Sequence, residues 1–599
     1  MSLFRRRPPA AKNLDQQLVF QLSKSRIPSP RQLKYIGHFV KGRERMILYI
    51  CSGLMIGSLI FLSSIWYRKH IELIPDNGGR YIEGIVGNPQ YINPLYASLN
   101  NVDGDLEQLI FSRLFKLNTN GQVENDLVSS FEISDNQKGY TIHLREAIWP
   151  NNQPITSDDV IFTFKLIQDP DYKSPLRARF VDVTIEKVND RTITFNLPEA
   201  YGRFPALLNF GILPSTLWEG VSSEMIPLAE LNLKPMGSGP YQLKSLVKNA
   251  TGTIRSYTIE RNNSYYGQAP YLDEIVFKFY PSAEEMIGAL NNGQINGLAE
   301  LPIDVADTIV AKNSLNYHSI PKPNLTALFF NLKAKTFISE APIRRALTAL
   351  DRTAIASTIP EKTVVPALSL LPPNQPGYQA VTVLNTDEAK QILDKSDWKL
   401  RTLTEADIAW AKTAKEKDRG NMLALGLGQW RMKGNQGIII TLTTPASLKP
   451  TAEKIIETWK QLGIKAELRS QEDTVVQSQT LVNRDFEILL YPEALEIGDP
   501  FPFWSTDGPG NISSYTRADV DSWLKEARVS SDQNLVADRY KKFQQATEAD
   551  VPAIPLFWQA YVYPQPKKLK GFSQAYVNEA SDRFLGATEW YFNVERKIK

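Results

Sequence analysis

The residues that could do covalent or metal chemistry are few, and their spacing does not bring them together. The four histidines are His38, His70, His143 and His318. A nucleophilic triad would need His143 or His318 as its base, and His143 sits in an alternating stretch, Tyr140-Thr141-Ile142-His143-Leu144-Arg145, that reads as a strand. Neither a G-x-S-x-G elbow nor an H-E-x-x-H zinc motif occurs, and Gly237-Ser238-Gly239 is too short for the elbow. A histidine metal site is not expected, because the histidines are scattered and His38 and His70 flank an apolar segment. The single cysteine, Cys51, lies inside that segment, so the rest of the chain has no thiol, disulfide or Cys-based metal site. This inventory argues against an enzyme and against a bound cofactor. It points to recognition by shape, charge and hydrogen bonds.

The elements that would position such recognition begin at the membrane. Residues 46–66, from Met46 to Trp66, run for 21 residues without a charge. As a helix at about 1.5 Å per residue they reach roughly 31 Å, the hydrocarbon thickness of a bilayer. Tyr49 and Trp66 stand near the two ends, where amphipathic rings favour the interface. Residues 1–45 carry eleven Lys or Arg and only Asp15 and Glu44, a net +9, so the positive-inside rule keeps this basic tail in the cytoplasm and exports everything after residue 70. A cleaved signal peptide fits less well, since the apolar run exceeds the roughly 7–15 residues of a signal core. The residues before Cys51 (Leu48-Tyr49-Ile50) are too bulky for a lipoprotein site. The whole chain is +3, and Arg68 and Lys69 add two charges, which leaves residues 71–599 at −8. A mildly acidic exported part does not suit nucleic acid, whose binding relies on cations against phosphate.

Beyond a polar spacer, 67–80, strand and helix signals alternate. Arg191–Leu197, Ser256–Arg261 and Glu274–Phe279 show period-two alternation. Thr156 with Asp158 and Asp159 marks a helix start, as does Ser282 with Glu285. Residues 451–462 form an amphipathic helix that Gly463 stops before a strand beginning at Ile464. Segment 402–437 looks like an inserted unit, polar and helical at first and then Gly-rich around Trp430. These alternations over some 520 residues imply an α/β fold with several subdomains.

Short motifs then occur in a telling order. Gly87-Asn88-Pro89-Gln90-Tyr91-Ile92-Asn93-Pro94-Leu95 is followed by Leu144-Arg145 through Trp149 and by Pro154-Ile155-Thr156-Ser157-Asp158-Asp159-Val160-Ile161-Phe162. Next come Gly237-Ser238-Gly239-Pro240-Tyr241, Asn331-Leu332 with Ile343-Arg344-Arg345-Ala346-Leu347 and Leu350-Asp351-Arg352, Asp499-Pro500 with Phe503-Trp504, and Asp550-Val551-Pro552-Ala553-Ile554-Pro555-Leu556. In this order they resemble the bacterial extracellular solute-binding proteins of family 5, the dipeptide and oligopeptide receptors of ABC importers. The resemblance runs from about Tyr81 to Phe592.

It implies a periplasmic-binding-protein-like fold of type II in its large three-domain form. Lobe I would comprise about 81–110, 200–285 and 520–592, with an inserted subdomain at about 111–199. Lobe II would comprise about 286–519, with the insertion 402–437, and 593–599 would be a tail. It further implies an extended peptide held between the lobes, its ammonium group paired by a carboxylate a few residues before Asp499-Pro500. That position is Glu496. Relatives often place glycine and tryptophan just ahead of it, where this chain has Tyr491-Pro492-Glu493, so ligand pose or class can differ. Asn88 and Pro89 are cleft candidates by family position, and Trp504 and Trp149 are candidates for stacking on ligand side chains, with core packing the competing reading. The implied partners are a peptide, an ABC permease and its ATPases, and the membrane through residues 46–66. Open alternatives are another solute, such as a sugar or metal chelate, or a sensor or chaperone-like receptor without transport.

Overall fold

The computed structural model describes residues 42–301, 309, 312–360, 363–495 and 499–598. It divides into two units, one made of the chain up to Pro75 and from Val594, the other of Asp76–Asn593.

In the first unit, Arg43–His70 is one helix, whose apolar side chains such as Leu54, Ile60 and Phe61 are exposed all round. It has the length and composition to cross a membrane. His70 ends it, its Nδ1–H donating to the Trp66 carbonyl (2.8 Å) and its ring stacking on that of Trp66. The expected spacer, 67–80, and tail, 593–599, each contribute a strand. Ile71–Asp76 and Asn593–Ile598 pair as a two-stranded sheet.

The second unit holds two main sheets. The first has the order Gly297–Leu298, Arg80–Val86, Glu274–Tyr280, Ile254–Arg261, Tyr241–Lys248. Its first three strands run parallel. An antiparallel four-stranded sheet (Val128–Ile133, Gly139–Leu144, Thr192–Asn196, Thr184–Asn189) and the helix Ser157–Gln168 share its core. Thr156 and Asp159 close that helix's N-terminus with a reciprocal capping box. The Gly-Ser-Gly turn exists for close approach. A Cβ on Gly237 would lie 2.1 Å from the Ile110 carbonyl oxygen, the end of the helix Asn101–Ile110.

The second sheet has the order Val364–Pro366, Ala553–Pro566, Leu315–Phe330, Ile488–Ala494, Ile439–Pro445, Lys465–Gln471. Its two faces carry separate cores. Leu328, Phe330, Ile440, Leu442 and Leu490 pack under the helices Ala341–Leu347 and Lys449–Gln461. Leu325, Ala327, Phe329 and Leu489 pack under Ala518–Val529 and Gln533–Asp550. Segment 402–437 lies within a small unit of its own, with three short strands (Lys399–Leu403, Gly428–Lys433, Gln436–Gly437) around Leu403, Met422 and Trp430.

Two expected lobe boundaries differ. Val520, Leu524, Tyr540 and Phe543 belong to the core that holds Leu325 and Trp504, so 520–550 goes with the second lobe, not the first. Helix Ala283–Asn291 and strand Gly297–Leu298 stay with the first lobe, because Gly297 and Leu298 pair with Glu83 and Gly84. Met286 and Ile287 pack beside Ile82 and Tyr280.

Candidate ligand-binding cleft

Two long strands, Leu315–Phe330 and Ala553–Pro566, run antiparallel from one lobe into the other. Ile320, Tyr561 and Tyr563 lie in the first lobe's core, whereas Leu325, Ala327 and Trp558 lie in the second's. Between the pairs Pro321↔Ala560 and Leu325↔Trp558 the register shifts, with Lys322, Pro323 and Asn324 facing the single residue Gln559. Proline removes ladder donors at 321 and 323, and a bulge bends and twists its strand. The ladder is therefore weakest where the chain passes between the lobes.

Both sheets present carboxyl ends of parallel strands beside this bulge. In the first lobe these are the ends of Arg80–Val86, Glu274–Tyr280 and Gly297–Leu298, followed by Gly87-Asn88-Pro89 and Ala299-Glu300-Leu301. In the second lobe they are the ends of Ile439–Pro445, Lys465–Gln471 and Ile488–Ala494, with Ala494 opposite Asn324. The Leu495 N–H donates to the Pro323 carbonyl at 2.7 Å. Open α/β sheets bind ligands outside such carboxyl ends, where side chains and unpaired backbone groups converge. A cavity of about 320 Å³ lies here, lined by Val86, Glu300, Lys322, Thr363, Gln559 and Tyr561 among others. A larger one, about 840 Å³, lies between the lobes at Gly121, Arg203, Asn374, Gln375, Gln533 and Tyr576.

Among the described residues beside the bulge, the charged side chains have an ion-pair or hydrogen-bond partner except at Glu493. Lys322 Nζ donates to Glu300 at 2.7 Å and lies 5.1 Å from the centre of the Tyr561 ring. Beneath it, Arg583 is fully buried between Glu83 and Asp105, 2.6 Å and 2.5 Å away. Tyr81 and Tyr563 donate to the other Glu83 oxygen. Burial pushes the Asp105 carboxyl up to about 6 against the pull of Arg583. In the second lobe Asp473 accepts from Ser447 Oγ at 2.7 Å. Glu493 is the exception, since no described cation or donor partners its carboxyl, and burial pushes it up to about 7.

The expected site residues divide. Glu496 lies outside the described residues. Asn88 and Pro89 follow the strand Arg80–Val86, at a carboxyl end. Asn88 is half-buried, and its Oδ1 has no hydrogen-bond partner among the described residues. Trp149 and Trp504 do not reach the cleft. Trp149 is 1% exposed in the first lobe's core, its indole N–H directed at Asp159, and Trp504 is 3% exposed against Phe329 and Phe543. Both sit where inward faces of two elements meet, which local spacing does not reveal.

Asp499 fixes the turn after Glu496. Its carboxylate accepts from the Phe501 N–H (3.1 Å) and pairs with Arg528 Nε (3.0 Å). The Arg528 guanidinium also lies over the rings of Phe501 and of Tyr201, which belongs to the first lobe, and the Gly202 N–H donates to the Arg528 carbonyl at 3.1 Å. Arg528 thus ties the turn to the opposite lobe. Nothing in the local sequence marks it, because its partners lie 29 and 327 positions upstream. Arg528→Leu leaves buried Asp499 without its cation, and urea unfolding should show a loss of about 1–3 kcal/mol.

A family model, bacterial extracellular solute-binding proteins, family 5 (middle), matches residues 122–514. The chain belongs to this family. Among family-5 relatives, the oligopeptide-binding protein AppA of Bacillus subtilis is 26% identical over 518 residues, covering 83% of this chain and 89% of AppA. The dipeptide-binding protein of Escherichia coli is 24% identical over 519 residues, covering 81% and 90%. The crystal structure of the ABC transporter substrate-binding protein CtaP from Listeria monocytogenes superposes with a TM-score of 0.62 at 24% identity, covering 86% of this chain and 99% of CtaP. The two-lobed α/β unit is thus the family-5 fold.

Proposed function

We propose that this chain is the membrane-anchored substrate-binding component of an ABC importer and that it binds peptides outside the cytoplasm. The observation that carries this reading is the meeting of two rows of parallel-strand carboxyl ends at a bulged two-strand connection, in a family-5 chain similar over most of its length to oligopeptide- and dipeptide-binding proteins.

The mechanism follows from that geometry. The lobes rotate about residues 321–325 and 558–560, where ladder bonds are fewest. An extended peptide between them finds unpaired backbone groups at the strand ends, as in β-strand addition. Its ammonium group must be paired once water is excluded, and Glu496 supplies that charge. The helix Arg43–His70 holds the receptor in the membrane, so it works at the surface where its permease sits.

The test uses the full chain in detergent, in a thermal-shift series with di- to hexapeptides, their N-acetylated forms and sugars. A ligand that binds only the folded state at 100 times its Kd adds about 2.7 kcal/mol of stability. Free-amine peptides are expected to raise Tm. In Glu496→Gln their affinity should fall by at least about 30-fold, since removing one partner of a buried charge pair costs 2–5 kcal/mol. Equal shifts from acetylated and free peptides would remove Glu496 from the site. A response to sugars alone would replace peptide as the ligand.

A further inference from the structure

We propose that Glu493 lines the ligand cleft and selects peptides that carry a second positive charge on the side chain of an N-terminal residue; this rests on the peptide reading above.

Glu493 lies on the strand Ile488–Ala494, one residue before its carboxyl end, opposite Leu325 of the strand that passes between the lobes. It is therefore at the row of strand ends beside the bulge and three residues ahead of Glu496. Side chains alternate along a strand, so Glu493 shares a face with Tyr491 and Leu495. The described groups around it offer no countercharge. Tyr491 is a neutral phenol, raised above its ordinary range by burial and by the charges of Glu493 and Asp473. Asp473 is an acid already bonded to Ser447. Across the ladder stand Leu325 and Asn324, whose Nδ2 donates to Gln559, and Lys322 is committed to Glu300.

A half-buried carboxyl without a partner is costly in the empty receptor. At other buried acids of this unit the chain supplies a cation or donors, as Arg583 does for Glu83 and Asp105 and Arg528 for Asp499. Among the described residues it supplies neither at Glu493, on the strand end beside the bulge between the lobes. A ligand ammonium or guanidinium supplies both charge and donors. Because Glu496 is assigned to the peptide's own amine, the cation at Glu493 belongs to a side chain, that of lysine or arginine.

The full-length protein in detergent is titrated calorimetrically with Lys-Leu-Leu, Arg-Leu-Leu, Leu-Leu-Leu and Glu-Leu-Leu. The basic peptides are expected to bind at least about tenfold tighter than Leu-Leu-Leu, the size of one well-placed charge pair. Glu493→Gln should erase that ratio while holding the Leu-Leu-Leu affinity within about threefold. Glu493→Met, which keeps the side chain's length without polarity, should do the same if the glutamine variant folds poorly. Near pH 7, binding of Lys-Leu-Leu should release protons to the buffer, and Glu493→Gln should abolish that release; a merely structural carboxyl would not change this signal. A wild-type receptor that binds all four alike overturns this assignment alone, as does a preference that survives in both variants. Failure of every peptide to bind overturns it together with the peptide reading.

Discussion

Arg583→Met should lower the unfolding free energy by about 3–5 kcal/mol, the range seen when one partner of a buried ion cluster is removed. Arg583 Nε and Nη2 donate to one Glu83 oxygen, its Nη1 and Nη2 donate to the two Asp105 oxygens, and Nη1 also reaches the Ala580 carbonyl. Methionine fills much of the volume but leaves two carboxylates facing each other out of water. The loss should grow with pH. The folded-state value for Asp105, about 6, already exceeds that of a free aspartate. Without the guanidinium it rises further. A carboxyl whose folded pKa is raised costs stability as pH climbs from the unfolded toward the folded value. Denaturant melts should therefore show the smallest difference from wild type near pH 4 and the largest above pH 7. A flat difference across that range would mean that the cluster acts through packing alone.

Trp504→Ala is expected to cost about 3–5 kcal/mol as well, by a different route. The indole stacks on Phe329 at 6.3 Å and lies 6.1 Å from Phe543, so its loss opens a void beneath the second lobe's sheet. Peptide affinity measured on the remaining folded protein should stay within about twofold, well under the tenfold that 1.4 kcal/mol represents. Weakened binding without loss of stability would return Trp504 to the cleft.

Single strands and helix ends were readable from local pattern. Tyr140 to Leu144 alternates because one face meets the core and the other does not, and the strand Gly139–Leu144 follows. Ser282 accepts from the Glu285 N–H at the helix start its spacing predicted. Gly463 takes φ +78 where a helix had to stop. What escaped local reading depends on distant neighbours. The strand Leu315–Phe330 carries Pro321 and Pro323, which argue against a continuous ladder until the bulge opposite Gln559 accommodates them. Trp149 and Trp504 look equally fit for a pocket or a core, and only the packing of a second element decides. The lobe boundaries moved for the same reason, since amphipathic helices such as Ala518–Val529 do not say which sheet they cover. Of the cleft, the resemblance supplied Asn88 and Pro89 as candidates, and its third candidate, Glu496, lies outside the described residues, while the Glu300–Lys322 pair has no marker in the sequence.

The strand Ala553–Pro566 sets a clock on biogenesis. It completes the sheets or cores of both lobes, and Arg583, Phe584 and Trp590 close the first. Glu83, at the start of the exported unit, waits for a partner 500 residues later. With the chain delivered N-terminus first, neither lobe has a finished core until nearly all of it has crossed. Such long-range closure is slow and leaves apolar segments open meanwhile. The partly delivered chain would then be the form most exposed to proteases and most in need of a chaperone. Truncations that remove the last forty residues would be cleared rather than accumulate as half-folded lobes.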